Sequence, residues 1–345
     1  MRKTFCTLFD RNYLARALAL IESLDRHEGE GYRLYAVCLD ELTRLVLTRL
    51  ANPRVIPVPL HALEERDPRL VAARGTRNLV EYYWTLTPTV LLWLLCQEPE
   101  MDVLTYVDAD MVFFAPATPV LEELGAGAAL IHRHRFSPDL AHLEAENGTY
   151  NVGLIAVRND ARGHAVLRWW RDRCLEWCYH RYEDGKMGDQ RYLNAWPSLF
   201  PGVVVAQSAG LGTAPWNHLN AAITAGAAGA PCIGGEPIVC FHMHAVARLT
   251  PGLFVPARHV AYRLTVPVLR HCYVPYAQAL ARADRALARV AADFRFGLDP
   301  DAITPAHTFL AERALSSTIR ASGIEHAPVD VGEGWDAWCS PQVVA

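Results

Sequence analysis

The chain has 345 residues, of which 51% are hydrophobic and 20% are charged, and its formal net charge at pH 7 is -4. A chain of this length and composition can bury a large core, so it allows one large α/β unit or two domains. The slightly acidic balance gives no global attraction to nucleic acid or to anionic lipid. We therefore expect no nucleic-acid partner.

The cysteines and the apolar segments indicate a cytoplasmic protein. None of the nine cysteines forms a Cys-x-x-Cys pair, and most lie in apolar stretches, which favours reduced and buried thiols. The apolar stretch near the amino terminus is too short for a signal peptide, and no apolar run approaches the length of a membrane span. We expect a cytoplasmic protein and leave a peripheral membrane contact open.

The first half of the chain alternates strand-like and helical segments. Residues 4–9, 34–39 and 55–58 are predicted strands, and residues 13–25 and 41–50 are predicted helices. This alternation is typical of an α/β fold with βαβ units, in which helices flank a mainly parallel sheet. Ligands of such folds bind at the carboxyl ends of the strands. Three of the apolar runs end in an acid there, at Asp10, Asp40 and Asp108.

The second half contains two further helical patterns. Residues 163–181 have tryptophan, cysteine and valine at helical spacing, which indicates a buried stripe rather than a platform for stacking on sugar. Residues 276–294 form an amphipathic pattern rich in alanine and arginine, and an irregular tail follows. We predict a catalytic domain over residues 1–250, and a helical extension with a tail over residues 251–345.

Asp108 and Asp110 lie between two apolar runs. Side chains two residues apart in extended chain project to the same side, so both carboxylates would face one point at a strand end. Hard divalent cations take oxygen ligands and share their other positions with water and substrate phosphates. The pair predicts a site for Mn²⁺ or Mg²⁺, although a turn that merely closes a strand would have the same sequence.

Two further groups of residues have side chains that suit a nucleotide and a sugar. Asp10 and Tyr13 lie at the first strand-to-helix turn, where they could hydrogen-bond to a base and stack on it, or where Asp10 could simply cap the helix. Asn151 and Gly153 lead into an apolar strand, and an amide that both donates and accepts suits sugar hydroxyls.

Two more patches follow. Asp189 and Gln190 open a segment with a helical pattern, in which Asp189 taken alone would be an N-cap. His242 and His244 lie two residues apart in an apolar run, residues 238–244, that we predict as a strand. Two imidazoles on one side of a strand, downstream of an acidic pair, favour metal ligation over a purely structural role.

In this order the patches resemble the nucleotide-sugar-dependent glycosyltransferases of the GT-A fold. Within that fold they are most similar to the retaining group of glycogenin and the bacterial lipopolysaccharide galactosyl- and glucosyltransferases. The resemblance spans roughly residues 4–250, and joint occurrence in order is more specific than any one motif. It rests on Thr7, Asp10, Tyr13, Asp108, Ala109, Asp110, Asn151, Val152, Gly153, Asp189, Gln190, Trp216, Asn217 and His242.

The resemblance implies transfer of a sugar from a nucleoside-diphosphate sugar, with a UDP-sugar as the expected donor, and with retention of the anomeric configuration. It implies that Asp108, Asp110 and His242 hold Mn²⁺ or Mg²⁺, and that Asp189 and Gln190 act on the sugar. The predicted donor-binding residues, together with arginines suited to a diphosphate, are Thr7, Asp10, Tyr13, Arg77, Asp108, Asn151, Gly153, Trp216, Asn217, His244 and Arg248.

Two motifs depart from the family's pattern. The closing motif His-x-x-Gly-x-x-Lys-Pro-Trp has Ala245 in its glycine position and Arg248 in its lysine position, and its Pro-Trp is absent. Arg191 replaces the last residue of an Asp-Gln-Asp triplet. The guanidinium of Arg248 could still bind a diphosphate. The acceptor, a saccharide or a lipid-linked glycan, is left open.

Two other functions compete with this one. A sugar nucleotidyltransferase would share the architecture and the metal, but it usually has a glycine-rich loop after the first strand, and residues 10–13 contain no glycine. A non-catalytic nucleotide-sugar-binding protein would keep the fold without the activity, and the altered motifs are compatible with it.

Overall fold

The structure is a computed structural model that describes residues 3–250, 253–256, 262–299 and 329–330. The first part of the chain alternates strands and helices as predicted, except that three helices precede the fourth strand. Its elements are β1 (Lys3–Phe9), α1 (Leu14–Glu28), β2 (Tyr32–Cys38), α2 (Glu41–Leu50), β3 (Val55–Pro59), α3 (His61–Glu64), α4 (Pro68–Arg74), α5 (Leu79–Gln97), β4 (Val103–Val107) and β5 (Met111–Phe113).

The remaining elements are shorter, apart from two long helices and one long strand. They are α6 (Thr118–Leu124), β6 (Ala129–Arg133), α7 (Glu144–Asn147), β7 (Tyr150–Arg158), α8 (Ala161–Glu176), α9 (Trp196–Leu199), β8 (Val203–Val205), β9 (Leu211–Thr213), β10 (Ile223–Ala225), β11 (Pro231–Ile233), β12 (Glu236–Pro237), β13 (Cys240–His242), β14 (Ala247–Thr250), β15 (Leu253–Val255), α10 (Val266–Val268), α11 (Val274–Val290) and β16 (Val329–Asp330).

A seven-stranded sheet in the order β3-β2-β1-β4-β7-β6-β8 forms the centre of the fold. β3, β2, β1 and β4 are parallel to one another, whereas β7 runs antiparallel to both of its neighbours. The predicted α/β class with a mainly parallel sheet is therefore confirmed. Because β7 runs against β4, its amino-terminal end lies at the same sheet edge as the carboxyl ends of β1 and β4.

Side chains of the sheet alternate between two cores, as the two-residue period of a strand requires. Phe5 of β1 and Leu34 of β2 belong to the core under α1, whereas Cys6 and Tyr35 belong to the core under α5 and α8. A sheet covered by helices on both faces has apolar residues on both sides of each strand, which explains the continuous apolar runs in the sequence.

The predicted stripe of α8 is confirmed, but the helix is shorter than predicted. Trp170 and Cys174 are fully buried against α5, as expected for a core stripe. The helix ends at Glu176, and Trp177 is already extended. The following segment is held by hydrogen bonds such as Tyr192 Oη to the carbonyl of Trp177, 2.8 Å. It leads back to Asp189 at the edge of the central sheet.

Within the described part of the chain, α5 is the one helix long and apolar enough to cross a membrane. It is longer than the apolar run in the sequence suggested, because the helix continues through Pro88. Its first turn is fixed by a capping box, in which Asn78 accepts from the backbone of Glu81 and Glu81 accepts from that of Asn78. Of its most apolar window, 56% is buried against the sheet and α8, as in the core helix of a globular domain.

A second, three-stranded sheet in the order β5-β13-β9 lies beside the central one. β13 pairs antiparallel with β5 and places His242 opposite Met111, the residue that follows Asp110. The strand is shorter than the predicted residues 238–244. It ends at His242 because the backbone of Met243 bonds to the carbonyl of Asp110 and Ala245 has a left-handed φ of 63°.

The long helix of the predicted extension, α11, packs on α1. Tyr276, Leu280 and Leu287 of α11 are buried in the same core as Leu14 and Leu20 of α1. Arg282 of α11 adds to this packing, because it forms a bidentate pair with Glu22 of α1. Asp284 of α11 pairs with Arg248 of β14. The tail from residue 300 lies outside the described residues, apart from β16. All eight described cysteines are free thiols, and seven of them are buried, as predicted.

Candidate active site

Asp108, Asp110 and His242 converge at the carboxyl edge of the central sheet. The His242 Nε2 atom lies 3.2 Å from Asp110 Oδ1 and 3.7 Å from Asp108 Oδ2. One ligand atom from each of the three side chains falls within 4.8 Å of the others. Ligands of a six-coordinate Mg²⁺ at about 2.1 Å lie about 3 Å from their neighbours. The two oxygens and one nitrogen therefore fit a small divalent cation.

The three groups act on one another electrostatically. Burial by itself would raise the pKa of Asp110, but the imidazole of His242 lowers that pKa to about 2, and His244 and Arg16 act in the same direction. Burial would lower the pKa of His242, but Asp110 and Asp108 raise it above the ordinary value. Burial and the Asp110 carboxylate raise the pKa of Asp108. A divalent cation would relieve the repulsion between the two acids.

The affinity for Mn²⁺ is expected to fall as the pH is lowered through the raised pKa of His242. A proton on Nε2 occupies the position that the metal needs, and its pKa lies above the usual value near 6.5. Calorimetric titration with Mn²⁺ between pH 6 and pH 8, in two buffers with different heats of ionisation, measures both the affinity and the protons released. An affinity that stays constant over this range would contradict the assignment of His242 as a ligand.

Gly153 lets the histidine approach. A Cβ atom at this position would lie 2.7 Å from His242 Nδ1 and 2.7 Å from Asn151 Oδ1, which no real side chain tolerates. The backbone of Asp108 donates to the Gly153 carbonyl at 2.9 Å, so β7 also fixes the position of the acidic pair. The predicted donor residue Gly153 therefore lies beside the metal ligands.

Asn151 connects two parts of the site. Its Oδ1 accepts from the backbone of Gly153, and its Nδ2 is 3.4 Å from Gln190 Oε1 and 3.3 Å from His134 Nε2. His134 is 3% exposed and donates from Nδ1 to the carbonyl of Gly148, so its Nε2 is the acceptor. Burial lowers the pKa of His134 to about 3, which keeps the ring neutral. The structure thus brings together Asn151 and Gln190.

Asp189 is buried beside this pair. It occupies the N-cap position that its place in the sequence suggested, but its side chain makes no capping hydrogen bond there. It interacts with Thr87 on α5, and the indole of Trp170 donates to its carbonyl at 2.9 Å. Burial and the nearby charge of Asp108 raise the pKa of Asp189 to about 8.

Asp10 and Tyr13 lie at the end of β1, next to β4. Asp10 does cap the turn, since it accepts from the backbone of Asn12 at 2.9 Å, and it also accepts from Tyr83 Oη at 3.2 Å. Tyr13 is 42% exposed, and the guanidinium of Arg16 lies over its ring. Thr7 is fully buried, and its hydroxyl is among the buried polar atoms without a partner.

Trp216 contacts the two histidines of the site, and Asn217 bonds to the backbone near them. The Trp216 ring contacts the rings of His242 and His244 edge-on, at centroid distances of 5.2 and 5.6 Å, and its Nε1 donates to the carbonyl of His134. The Asn217 amide is used up by backbone groups, including the carbonyls of His134 and Gly212 at 2.8 Å each. Asn217 therefore fixes its loop, which differs from the predicted donor contact.

His244 lies on the same side of the chain as His242, as the sequence predicted, but just past the end of the strand. Its ring is 5.9 Å from that of His242, and its Nδ1 is 2.8 Å from the hydroxyl of Tyr262. Burial and the charge of His242 lower the pKa of His244 to about 4, so it is neutral.

The guanidinium groups of Arg77 and Arg248, both predicted to bind the diphosphate, are bonded to groups of the protein. Arg77 donates to the carbonyls of Cys174 and Leu175, at 2.8 and 2.9 Å, and joins α5 to the end of α8. Arg248 is 2% exposed and forms an ion pair with Asp284. These contacts correct the sequence-based expectation, which treated both guanidinium groups as available to a ligand.

Ala245→Gly is expected to stabilise the fold by about 0.5 kcal/mol. A left-handed residue with a Cβ costs roughly 1–2 kcal/mol, and the extra freedom of glycine in the unfolded chain offsets about 0.4–1 kcal/mol of that. Ala245 has a φ of 63°, at the position where the resembling family has glycine. Urea denaturation measures the change, and Ala72→Gly in α4 serves as a control that should destabilise by about 1 kcal/mol. Equal losses in both variants would contradict the argument from φ.

Sequence reasoning missed Tyr106, which positions the carboxylate of Asp108. Its hydroxyl donates to Asp108 Oδ1 at 2.6 Å, which leaves Oδ2 to face His242. Tyr106 precedes Asp108 by two residues, so the rule that paired Asp108 with Asp110 would also have placed Tyr106 on the same side. His134 and Tyr83 had no comparable signal, because their partners are distant in the sequence.

Two proteins of Bacillus subtilis strain 168, both named as uncharacterized, are similar to the chain. YfnF is 33% identical over 224 residues, which cover 63% of this chain and 73% of YfnF. YfnD is 27% identical over 309 residues, which cover 89% of this chain and 97% of YfnD. No known family profile matches the chain.

Among solved structures, the galactosyltransferase LgtC in complex with donor and acceptor sugar analogs has a similar fold. The alignment has a TM-score of 0.52 and 15% identity, and it covers 84% of this chain and 96% of LgtC. The chain therefore has the GT-A fold that its motifs predicted.

Proposed function

We propose that this chain, which belongs to the family of the Bacillus subtilis protein YfnF, is a metal-dependent glycosyltransferase. Its donor is a nucleoside-diphosphate sugar, with a UDP-sugar as the first candidate, and its cofactor is Mn²⁺ or Mg²⁺. The observation on which the proposal rests is the cluster of Asp108, Asp110 and His242 at the ligand-binding edge of a GT-A fold. LgtC, which has this fold, was solved with donor and acceptor sugar analogs.

The polar groups around the cluster fit the parts of such a donor. Tyr13 offers an exposed ring to the base, and Asp10 offers a carboxylate next to it. On the other side, Asn151, Gln190 and Asp189 form a polar wall beside the cluster for the sugar. Base, diphosphate and sugar would then lie in this order across the ends of β1, β4 and β7.

Departure of a nucleoside diphosphate from the anomeric carbon leaves negative charge on the leaving phosphate, which a bound divalent cation neutralises. Asp108, Asp110 and His242 fix the place of that charge, and Gly153 and Tyr106 fix the ligands. The positive charge that develops on the sugar ring requires a negative or polar group nearby, which Asp189 and the carbonyl of Gln190 supply.

We propose retention of the anomeric configuration by same-face attack of the acceptor. The amide of Gln190, whose Oε1 lies 3.4 Å from Asn151 Nδ2, is a poor nucleophile. The acceptor is a saccharide or a lipid-linked glycan. A cytoplasmic location, with peripheral contact to a membrane surface, fits the use of a nucleotide sugar as donor.

The proposal is tested by a thermal-shift screen of nucleotide sugars, each with and without Mn²⁺. A ligand that binds the folded state raises the melting temperature by mass action, so the donor is found without knowledge of the acceptor. We expect a rise of several degrees with one class of nucleotide sugar, and only in the presence of the metal. A protein that responds to Mn²⁺ but to no nucleotide sugar would refute the proposal.

Hydrolysis of the donor separates the enzyme from the two alternatives. Slow, metal-dependent release of sugar without an acceptor is expected of a transferase, and chelation should stop it. A binding protein would give a thermal shift without hydrolysis. A nucleotidyltransferase would instead produce a nucleotide sugar from a sugar phosphate and a nucleoside triphosphate, and the tight turn at Asp10, which lacks a glycine-rich loop, speaks against it.

A further inference from the structure

A diphosphate at the proposed metal site needs a fixed positive group besides the cation. The charges of Asp108 and Asp110 together equal that of one divalent cation, so the negative charge of a bound diphosphate would remain uncompensated. Guanidinium groups are well suited to phosphate because they donate parallel hydrogen bonds. The sequence placed Arg248 in this role.

Arg248 is already neutralised. It pairs with Asp284 of α11, its Nη1 donates to the carbonyl of Phe296 at 3.3 Å, and 2% of its surface is exposed. The backbone of Asp299 bonds to its carbonyl. Arg248 therefore connects β14 to α11 and to the residues that follow α11.

Arg16 of α1 is placed differently. Its guanidinium lies over the ring of Tyr13, 4.6 Å from the centroid. Its Nη2 donates to the carbonyl of Val246 at 2.7 Å, and Nη1 donates to the carbonyl of Asn12 at 3.2 Å. Both acceptors are neutral. Among the described residues, no carboxylate lies within ion-pair distance of Arg16.

The position of Arg16 relates it to the parts of the site proposed for the base and for the diphosphate. Its charge acts on the carboxylate of Asp110 and on the hydroxyl of Tyr13, so it is near the metal cluster as well as the ring offered to the base. Its bond to Val246 fixes it to the segment that begins with His242. The neighbouring Arg11 is not equivalent, because it is 3.3 Å from Asp40 and stacks on Phe296.

We propose that Arg16 binds the diphosphate of the donor in this protein. The sequence had suggested this role for Arg248, because Arg248 occupies the lysine position of the resembling family's closing motif. The inference rests on the proposed function, since it assigns a residue to the same site. The guanidinium would remain over Tyr13 and direct its free N–H groups toward the phosphate next to the base. A cation held by Asp108, Asp110 and His242 would bind the opposite side of the diphosphate.

The test compares the binding of UDP and of uridine, both in the presence of Mn²⁺, by isothermal calorimetry. Arg16→Gln keeps a donor for the Val246 carbonyl but removes the charge, and Arg16→Lys keeps the charge. We expect Arg16→Gln to weaken the binding of UDP by about 10- to 100-fold, the worth of a charged hydrogen bond, and to leave that of uridine unchanged. Arg16→Lys should recover part of the loss.

Arg26→Ala on the same helix is the matched control, because Arg26 is exposed and pairs with Glu22. Its affinity for UDP should equal that of the wild type, and melting curves of all variants check the fold. Wild-type affinity for UDP in Arg16→Gln would overturn the inference, and so would an equal loss of UDP and uridine binding. Absence of UDP binding in the wild type would instead count against the proposed donor.

Discussion

Asp110→Ala is expected to reduce metal-dependent sugar transfer by at least about 1000-fold and to leave the fold intact. Asp110 is the ligand closest to His242, and its pKa of about 2 makes it a permanent charge at neutral pH. Its removal leaves one carboxylate and one imidazole, too few groups to hold a divalent cation against water. Without that cation the leaving diphosphate is not neutralised, and this electrostatic contribution is usually the largest in such reactions.

Two measurements distinguish loss of the site from loss of the fold. Mn²⁺ binding by electron paramagnetic resonance should become undetectable at micromolar concentrations, and the circular dichroism spectrum should not change. Asp172→Ala is a matched control, because Asp172 is a surface acid that pairs with Arg69 and Arg171. Asp110→Asn keeps the shape of the side chain and should lose activity equally. Near-wild-type transfer in either Asp110 variant would refute the metal site.

Asp189→Asn is expected to abolish transfer and at the same time to stabilise the metal-free protein. The buried carboxyl has a folded-state pKa of about 8, far above the value near 3.9 of an unfolded chain. The fold therefore favours the protonated acid, and stability is lost as the pH rises from about 4 toward 8. The amide has the same shape and no charge, so the variant should gain about 1–3 kcal/mol at pH 8.

The pH dependence is the sharper readout for Asp189. At pH 3 the acid is largely neutral in both states, so wild type and variant should be nearly equally stable, and their difference should grow as the pH rises toward 8. Urea denaturation at four or more pH values, with a chelator present, measures it. A variant that is less stable than the wild type at pH 8 would show that the carboxylate is ionised and satisfied by the fold.

The Asp189→Asn variant also separates a contribution of Asp189 to stability from its proposed role in sugar transfer. A cation bound at Asp108 would remove the repulsion that raises the pKa of Asp189, so the metal would favour the ionised form needed at the sugar. Asp189→Asn should therefore bind donor and Mn²⁺ but transfer no sugar. Donor binding is followed by calorimetry and transfer by release of UDP. Transfer at the wild-type rate would remove Asp189 from the proposed mechanism.

The fold was accessible from the sequence where the pattern is local. β1, α1, β2 and α2 match the predicted segments closely, because strand and helix periods and the caps at Asp10 and Asp40 are short-range signals. The carboxyl end of α8 was wrong by five residues, and each end of the short strand β13 by two. They depend on hydrogen bonds to distant partners, such as the bond from Met243 to Asp110, which no local pattern contains.

The site was predictable to a different degree for each residue type. The convergence of Asp108, Asp110 and His242 came from the family pattern, and the antiparallel pairing of β5 with β13 gives its physical cause. Arginines were the least predictable, because a guanidinium can reach several partners from one backbone position. Arg248 and Arg77 bind protein groups, whereas Arg16, which had no motif, lies over Tyr13.

The packing of α11 on α1 limits how this protein can be shortened. A truncation after residue 250 would uncover the apolar side of α1, including Leu14 and Leu20, and would remove Asp284, the ion-pair partner of Arg248. The turn after β1 would lose its neighbour at Gly297, which lies against Asn12. A fragment that ends near residue 250 is therefore a poor starting point for crystallisation or assays, and expression should include at least residues 1–299.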